Sequence, residues 1–111
     1  GQYDVKLKGF FGDLTCRDIY GFRIDAAFLG TCALSLDGGM MSTDAIDQCV
    51  KRKIIETAHK NIAVVDHTKI GKDAVLRACD LRDRDSIITD KEADAAFVAS
   101  AQKLGIEVVQ V

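Results

Sequence analysis

The chain has 111 residues, 48% of them hydrophobic and 29% charged, with 15 basic against 17 acidic side chains and a formal net charge of −2. That length holds one small domain, and the composition is too apolar for disorder and too poor in glycine for a collagen-like chain. The longest apolar runs span a few residues, which excludes a membrane-crossing helix, and the balanced charge argues against a segment that grips a nucleic-acid backbone by itself.

In chain order, Val5, Leu7 and Phe11 suggest a strand broken near Gly9, and Thr15 to Tyr20 reads as a weak helix. Ile24 to Leu29 is nearly all apolar and ends at Gly30, as expected of a strand covered on both faces. Thr31 to Met41, with Gly38-Gly39, reads as a loop or ribbon leaving that strand. From Asp44 to Lys60, apolar residues at three- and four-residue steps (Ile46, Cys49, Val50, Ile54, Ala58) mark the clearest helix. Ser42, Thr43 and Asp44 are each able to cap it.

Ile62 to Val65 is a buried strand ending at Asp66. Ala74 to Cys79 is ambiguous between strand and helix, with strand preferred, and Ser86 to Thr89 is another strand. Asp90 is placed to cap the next helix, whose inward stripe is Ala93, Ala96, Phe97, Ser100, Ala101 and Leu104; Gly105 ends it, and Ile106 to Val111 form a last strand. The alternation predicts an α/β fold with a mostly parallel sheet flanked by helices. Ligands in such sheets sit at the C-terminal ends of strands, here Gly30-Thr31, Asp66-His67-Thr68-Lys69 and Thr89-Asp90.

Lys69, at a strand end with Gly71 allowing a close turn, offers a point charge to an anion; alternatively Asp66 and Lys69 pair with each other or shape the turn. Asp47 and Lys51 are spaced for a helical ion pair in the favourable order. Lys51-Arg52-Lys53 points its charges in different directions and is a weak nucleic-acid signal. Gly38-Gly39 lacks both phosphate-loop patterns and reads as a turn. Asp80 to Asp85 alternates in sign, as a solvated connection does. Cys16, Cys32, Cys49 and Cys79 form no C-x-x-C pair and are expected as buried thiols in a reducing cytosol. His59 and His67 supply no metal cluster and no evident nucleophile partner, so neither a metal nor a cofactor is expected. The start, Gly-Gln-Tyr-Asp, is no signal peptide and lacks an initiating methionine, so an excised piece of a longer protein is expected.

Five blocks in order, Asp25-Ala-Ala-Phe-Leu-Gly30, Leu36-Asp-Gly-Gly39, Asp47-Gln-Cys-Val-Lys51-Arg-Lys-Ile-Ile55, Val64-Val-Asp66-His-Thr-Lys69-Ile-Gly71 and Asp85-Ser-Ile-Ile-Thr-Asp90, resemble the C-terminal effector-sensing domain of DeoR-type transcriptional repressors. The family usually has serine where this chain has Thr68, a change that keeps the hydroxyl.

The resemblance implies a fold shared with ribose-5-phosphate isomerases, glucosamine-phosphate deaminases and coenzyme A transferases. It implies a partial sensor domain over residues 1–111, lacking its first part and the winged helix-turn-helix, in a cytoplasmic protein. Such a sensor binds a phosphorylated sugar, reaches operator DNA only through the missing module, and is expected as a homo-oligomer with no membrane contact. Lys69, Lys51, Gly30, Thr31 and Asp25 are the expected effector-binding residues, and no catalytic residue is expected. Counting against the isomerase pattern, their two motif aspartates fall at Leu29 and Cys32 and their catalytic glutamate at Lys51, leaving no carboxylate to shuttle a proton. The alternative is a fragment of a sugar-phosphate isomerase- or deaminase-like enzyme.

Overall fold

β-branched and small apolar residues in short runs, separated by helical stripes, settle into a parallel sheet with its connections packed on it. The structure, a computed structural model, describes residues 1–81 and 85–111. Residues 82–84, inside the charged stretch expected as a solvated connection, lie outside the described residues.

The chain opens with β1 (Gln2–Asp4) and β2 (Gly9–Phe11), then α1 (Gly12–Tyr20). β3 (Ile24–Leu29) leads into β4 (Ala33–Ser35) and β5 (Gly39–Ser42), followed by α2 (Ala45–Thr57) and β6 (Ala58–Val64). A single 3-10 turn, His67–Lys69, precedes β7 (Leu76–Cys79), β8 (Ser86–Thr89), α3 (Ala95–Lys103) and β9 (Glu107–Gln110). The main sheet is parallel throughout in the order β3-β6-β8-β9, with Phe28 opposite Ile62, Ala63 opposite Ile87 and Ile87 opposite Val108. β4, β5 and β7 make a small antiparallel sheet, and β1 pairs with β2. This is the expected α/β fold with a mostly parallel sheet and flanking helices.

One core joins these layers. Ala27, Leu29, Ala63 and Ile87 of the main sheet meet Leu34, Met40 and Cys79 of the small sheet and Phe97 and Ala101 of α3, with Ile54 and Ile55 of α2 packed against them. Gly39 lets the small sheet close: its φ is +71°, and a Cβ there would stand 2.1 Å from the Cys79 carbonyl oxygen. Among the described residues no helix is long and apolar enough to cross a membrane.

Several expectations are corrected. The first strand is a hairpin: Val5 and Leu7 fall in the turn, and Tyr3 and Phe10 stack edge to face across it. β3 is covered on one face only, with Ala27 and Leu29 inward and Phe28 64% exposed. Each strand of the main sheet follows its neighbour in sequence and steps the same way, so right-handed crossovers place α2 and α3 on the same side. The helix from Asp44 stops at Thr57, whose hydroxyl donates back to the Lys53 carbonyl, and Ala58 to Lys60 belong to β6 because Ala58 pairs with Ile24 and Lys60 with Ala26. Asp94 rather than Asp90 caps α3, accepting from Phe97 N–H, since the turn after β8 delays the helix. Ala96 and Leu104 of the expected inward stripe are exposed, while Val98 is buried. Of the cysteines only Cys79 is buried; Cys16 is half-buried between α1 and α2, and Cys32 and Cys49 are exposed.

Leu34 and Ile87 are fully buried in the shared core. Leu34→Ala or Ile87→Ala is expected to lower the unfolding free energy by about 2–5 kcal/mol. Val75→Ala, at 86% exposed, should change it by less than about 0.5 kcal/mol. Urea denaturation of the three variants checks the contrast.

Candidate functional site

Because β3, β6 and β8 are adjacent and parallel, their C-terminal ends share one edge of the sheet. The backbone leaves each strand there with amide groups that no further ladder uses, and ligands of open α/β sheets bind at such edges. Gly30 and Thr31 follow β3, the segment from Val65 to Gly71 follows β6, and Asp90 follows β8.

The segment after β6 is fixed at both ends. Asp66 accepts from the Thr68 N–H at 2.8 Å and from the Thr68 hydroxyl, and Lys69 N–H donates to the Asp66 carbonyl at 3.1 Å, which closes the 3-10 turn. The Thr68 hydroxyl and then its N–H hold the Asp66 carboxyl below the usual carboxylate range. Gly71, at φ +78°, turns the chain so that its N–H reaches the Leu34 carbonyl at 2.8 Å. Asp66 therefore shapes the turn. Lys69, half-buried, has no carboxylate partner within ion-pair distance among the described residues.

A second tie crosses from β6 to β8. The Asp90 carboxylate accepts from the His67 N–H and the Glu92 N–H, each at 2.8 Å, and both its oxygens lie 3.1 Å from His67 Nδ1. On the other side of the ring, Nε2 is 3.2 Å from Glu92 Oε2. One donor atom from each of His67, Asp90 and Glu92 lies within 4.8 Å of the others. The hydrogen bond to Asp90 pushes the His67 pKa up, and the His67 N–H foremost holds Asp90 down.

The remaining expected residues are distributed as follows. Gly30 lies at the edge beside β6, where an added Cβ would stand 3.9 Å from the Val64 carbonyl oxygen. Thr31 is beside it, but its hydroxyl donates to the carbonyls of Met41 and Ala33 at 2.6 and 3.2 Å, rooting the β4–β5 ribbon. Lys51 sits midway along α2 in the expected ion pair: Nζ is 2.7 Å from Asp47 Oδ2, which also accepts from the Ser42 hydroxyl at 2.9 Å. Asp25 is near the start of β3, in a hollow of about 480 Å³ lined also by Arg23, Glu56 and His59. Five strand steps of about 3.3 Å put it roughly 16 Å from Gly30. The structure thus gathers Gly30, Thr31 and Lys69 at one edge and leaves Asp25 at the other.

Sequence reasoning about metal ligands considered the histidines alone and missed the His67–Asp90–Glu92 group. Its signal was present in two strand ends, Asp66-His67 and Thr89-Asp90, but became visible only with the β6–β8 pairing.

A family model described as the DeoR C-terminal sensor domain matches residues 1–91. The chain is 35% identical over 81 residues to the glycerol-3-phosphate regulon repressor of Haemophilus influenzae, covering 73% of this chain and 32% of that protein. It is 33% identical over 90 residues to the glycerol-3-phosphate regulon repressor of Escherichia coli, covering 81% and 36%. With the HTH-type transcriptional repressor GlcR of Bacillus subtilis it shares 27% identity over 109 residues, 98% of this chain and 42% of that one. The chain therefore spans about a third to two-fifths of the length of these relatives.

A raised histidine pKa stabilises the fold below its unfolded value and stops doing so as pH rises through the folded value. A lowered carboxylate pKa contributes above its unfolded value and is lost as pH falls through the folded one. The His67–Asp90 tie is therefore complete between the lowered Asp90 value and the raised His67 value, and loosens as pH rises through the latter or falls through the former. An NMR titration of the imidazole resonances should place His67 above an ordinary histidine, and Asp90→Asn should bring its midpoint down; equal midpoints in the two proteins would contradict the tie.

Proposed function

The chain belongs to the family of DeoR C-terminal sensor domains, and on that premise we propose that it is the effector-sensing part of a transcriptional repressor, binding a phosphorylated sugar metabolite at the C-terminal edge of its sheet. The observation that carries this reading is the ammonium of Lys69. It stands without a carboxylate partner among the described residues, on a turn that Asp66 closes and that Gly71 and His67 anchor to neighbouring strands.

A lysine held in this way binds an anion with little ordering cost, because the backbone that carries it is already fixed. Gly30 leaves room for a ligand to approach the strand ends. Lys51 is a secondary contact at most, since Asp47 already neutralises it. The relatives named as glycerol-3-phosphate regulon repressors agree with a small phosphorylated ligand.

The reading is regulatory rather than enzymatic. Moving a proton between sugar carbons requires a base at the reacting atoms. The positions matching the carboxylates of the isomerases hold Leu29, a core residue, Cys32, and Lys51 in its ion pair. In this proposal the domain acts on operator DNA through a separate winged helix-turn-helix within a homo-oligomeric, cytoplasmic repressor. The effector shifts operator binding by favouring one of two states of that assembly.

Titration of the full-length repressor with a panel of pentose, hexose and triose phosphates tests the proposal. A charged hydrogen bond is worth about 1.5–3 kcal/mol, so Lys69→Ala should weaken effector binding roughly 10- to 100-fold while leaving effector-free operator affinity intact. Lys51→Ala should cost less. Unchanged effector titrations in Lys69→Ala would remove this residue from the site, and turnover of any of the sugar phosphates would favour the enzyme.

A further inference from the structure

The loops after β6 and β8 carry more negative than positive charge. Asp66, Asp73, Asp90, Glu92 and Asp94 stand against Lys69, Lys72 and Lys91. A phosphoryl dianion brought to Lys69 therefore enters a region with two negative charges in excess, His67 aside, and Coulomb repulsion acts against it. The same loops carry a means of reversing that balance.

We propose that His67 Nε2 and Glu92 bind one divalent cation of the Mn²⁺ type beside Lys69, and that this cation shares the phosphoryl group of the effector with Lys69. The proposal rests on the phosphorylated-ligand reading for its second half only. Asp90 is held by two backbone N–H groups and receives the Nδ1 side of the ring. That contact directs the Nδ1 proton to Asp90 and turns Nε2 toward Glu92; a cation that displaces the Nε2 proton to solvent then meets the arrangement by which an outer carboxylate orients a metal-binding histidine. Nε2 and Glu92 Oε2 are 3.2 Å apart. Two ligands at right angles on an ion with bonds of about 2.1–2.2 Å stand about 3.0 Å apart, so the cation enters with a small movement of the exposed Glu92 side chain. Carboxylate oxygen, water and phosphate suit Mn²⁺, here with one imidazole, and the related Mg²⁺ is commonly held by one or two carboxylates with water and substrate phosphate completing the shell.

Electron paramagnetic resonance of aqueous Mn²⁺, whose signal falls on binding, tests this with the full chain. One Mn²⁺ per chain is expected. Glu92→Gln and His67→Gln should each weaken it at least tenfold, and Asp90→Asn, which acts through the ring, about 10- to 100-fold. Glu92 is 77% exposed, so its variant keeps the fold, and circular dichroism verifies this. Inorganic phosphate should tighten Mn²⁺ binding in the parent chain and less so in Lys69→Ala. No binding at millimolar Mn²⁺, or equal affinity in the parent and in Glu92→Gln and His67→Gln, overturns the site. Mn²⁺ binding indifferent to phosphate overturns the shared phosphoryl group while leaving the cation site. The effector titration of Lys69→Ala without metal decides the earlier reading separately.

Discussion

Three parallel pairings, β3 with β6, β6 with β8 and β8 with β9, each step in the same direction along the sheet. Right-handed crossovers then have one side on which to lie. That single constraint puts α2, α3 and the small antiparallel sheet against Ala27, Leu29, Ala63 and Ile87, and the main core cluster forms there. It also aligns the strand ends, so that residues far apart in sequence, such as His67 and Asp90, become neighbours. On the other face of the sheet Phe28, Val64 and Val109 remain exposed, while Ile62 and Ser86, in register with Phe28, are buried.

The strand-end loops are positioned by polar contacts that the core cannot supply. Buried apolar contact is insensitive to direction, whereas a carboxylate accepting three N–H groups fixes both distance and angle. Asp90 does this for His67 and Glu92, the Asp66 carboxylate accepts the Thr68 N–H and hydroxyl within its own turn, and the Gly71 N–H ties the far end of that turn to Leu34. Lys69 gains a defined place without an ion pair among the described residues. A lysine already paired, as Lys51 is with Asp47, would have to exchange one anion for another to bind a ligand.

How much of this was legible depended on range. Local signals served well: the apolar run Ile24–Leu29, the Asp44 cap and the Asp47–Lys51 spacing all have the expected structure. So did the five ordered blocks that resemble the sensor family. What failed depended on tertiary pairing. Ala58 to Lys60 continue the helical pattern of α2, but bonding to β3 draws them into a strand, a competition that sequence periodicity does not register. An all-apolar strand normally implies two covered faces, yet here the direction of the crossovers decides, and direction is not written in any one segment. The His67–Asp90–Glu92 group was hidden for the same reason, since its members come from loops joined only by sheet order.

Leu29 shows how the fold and the regulatory reading bear on each other. It ends β3 inward, within the core, at the position where the isomerase pattern has an aspartate. A carboxylate buried there would need a partner or a proton to offset its desolvation. Leucine instead adds apolar contact to the core that holds the strand ends in place. In the proposed sensor, a leucine here offers no proton acceptor and adds to the core beneath the strand ends. A catalyst needs both a grip and a base; a sensor needs the grip, held on a frame stable enough that occupancy rather than local disorder decides its state.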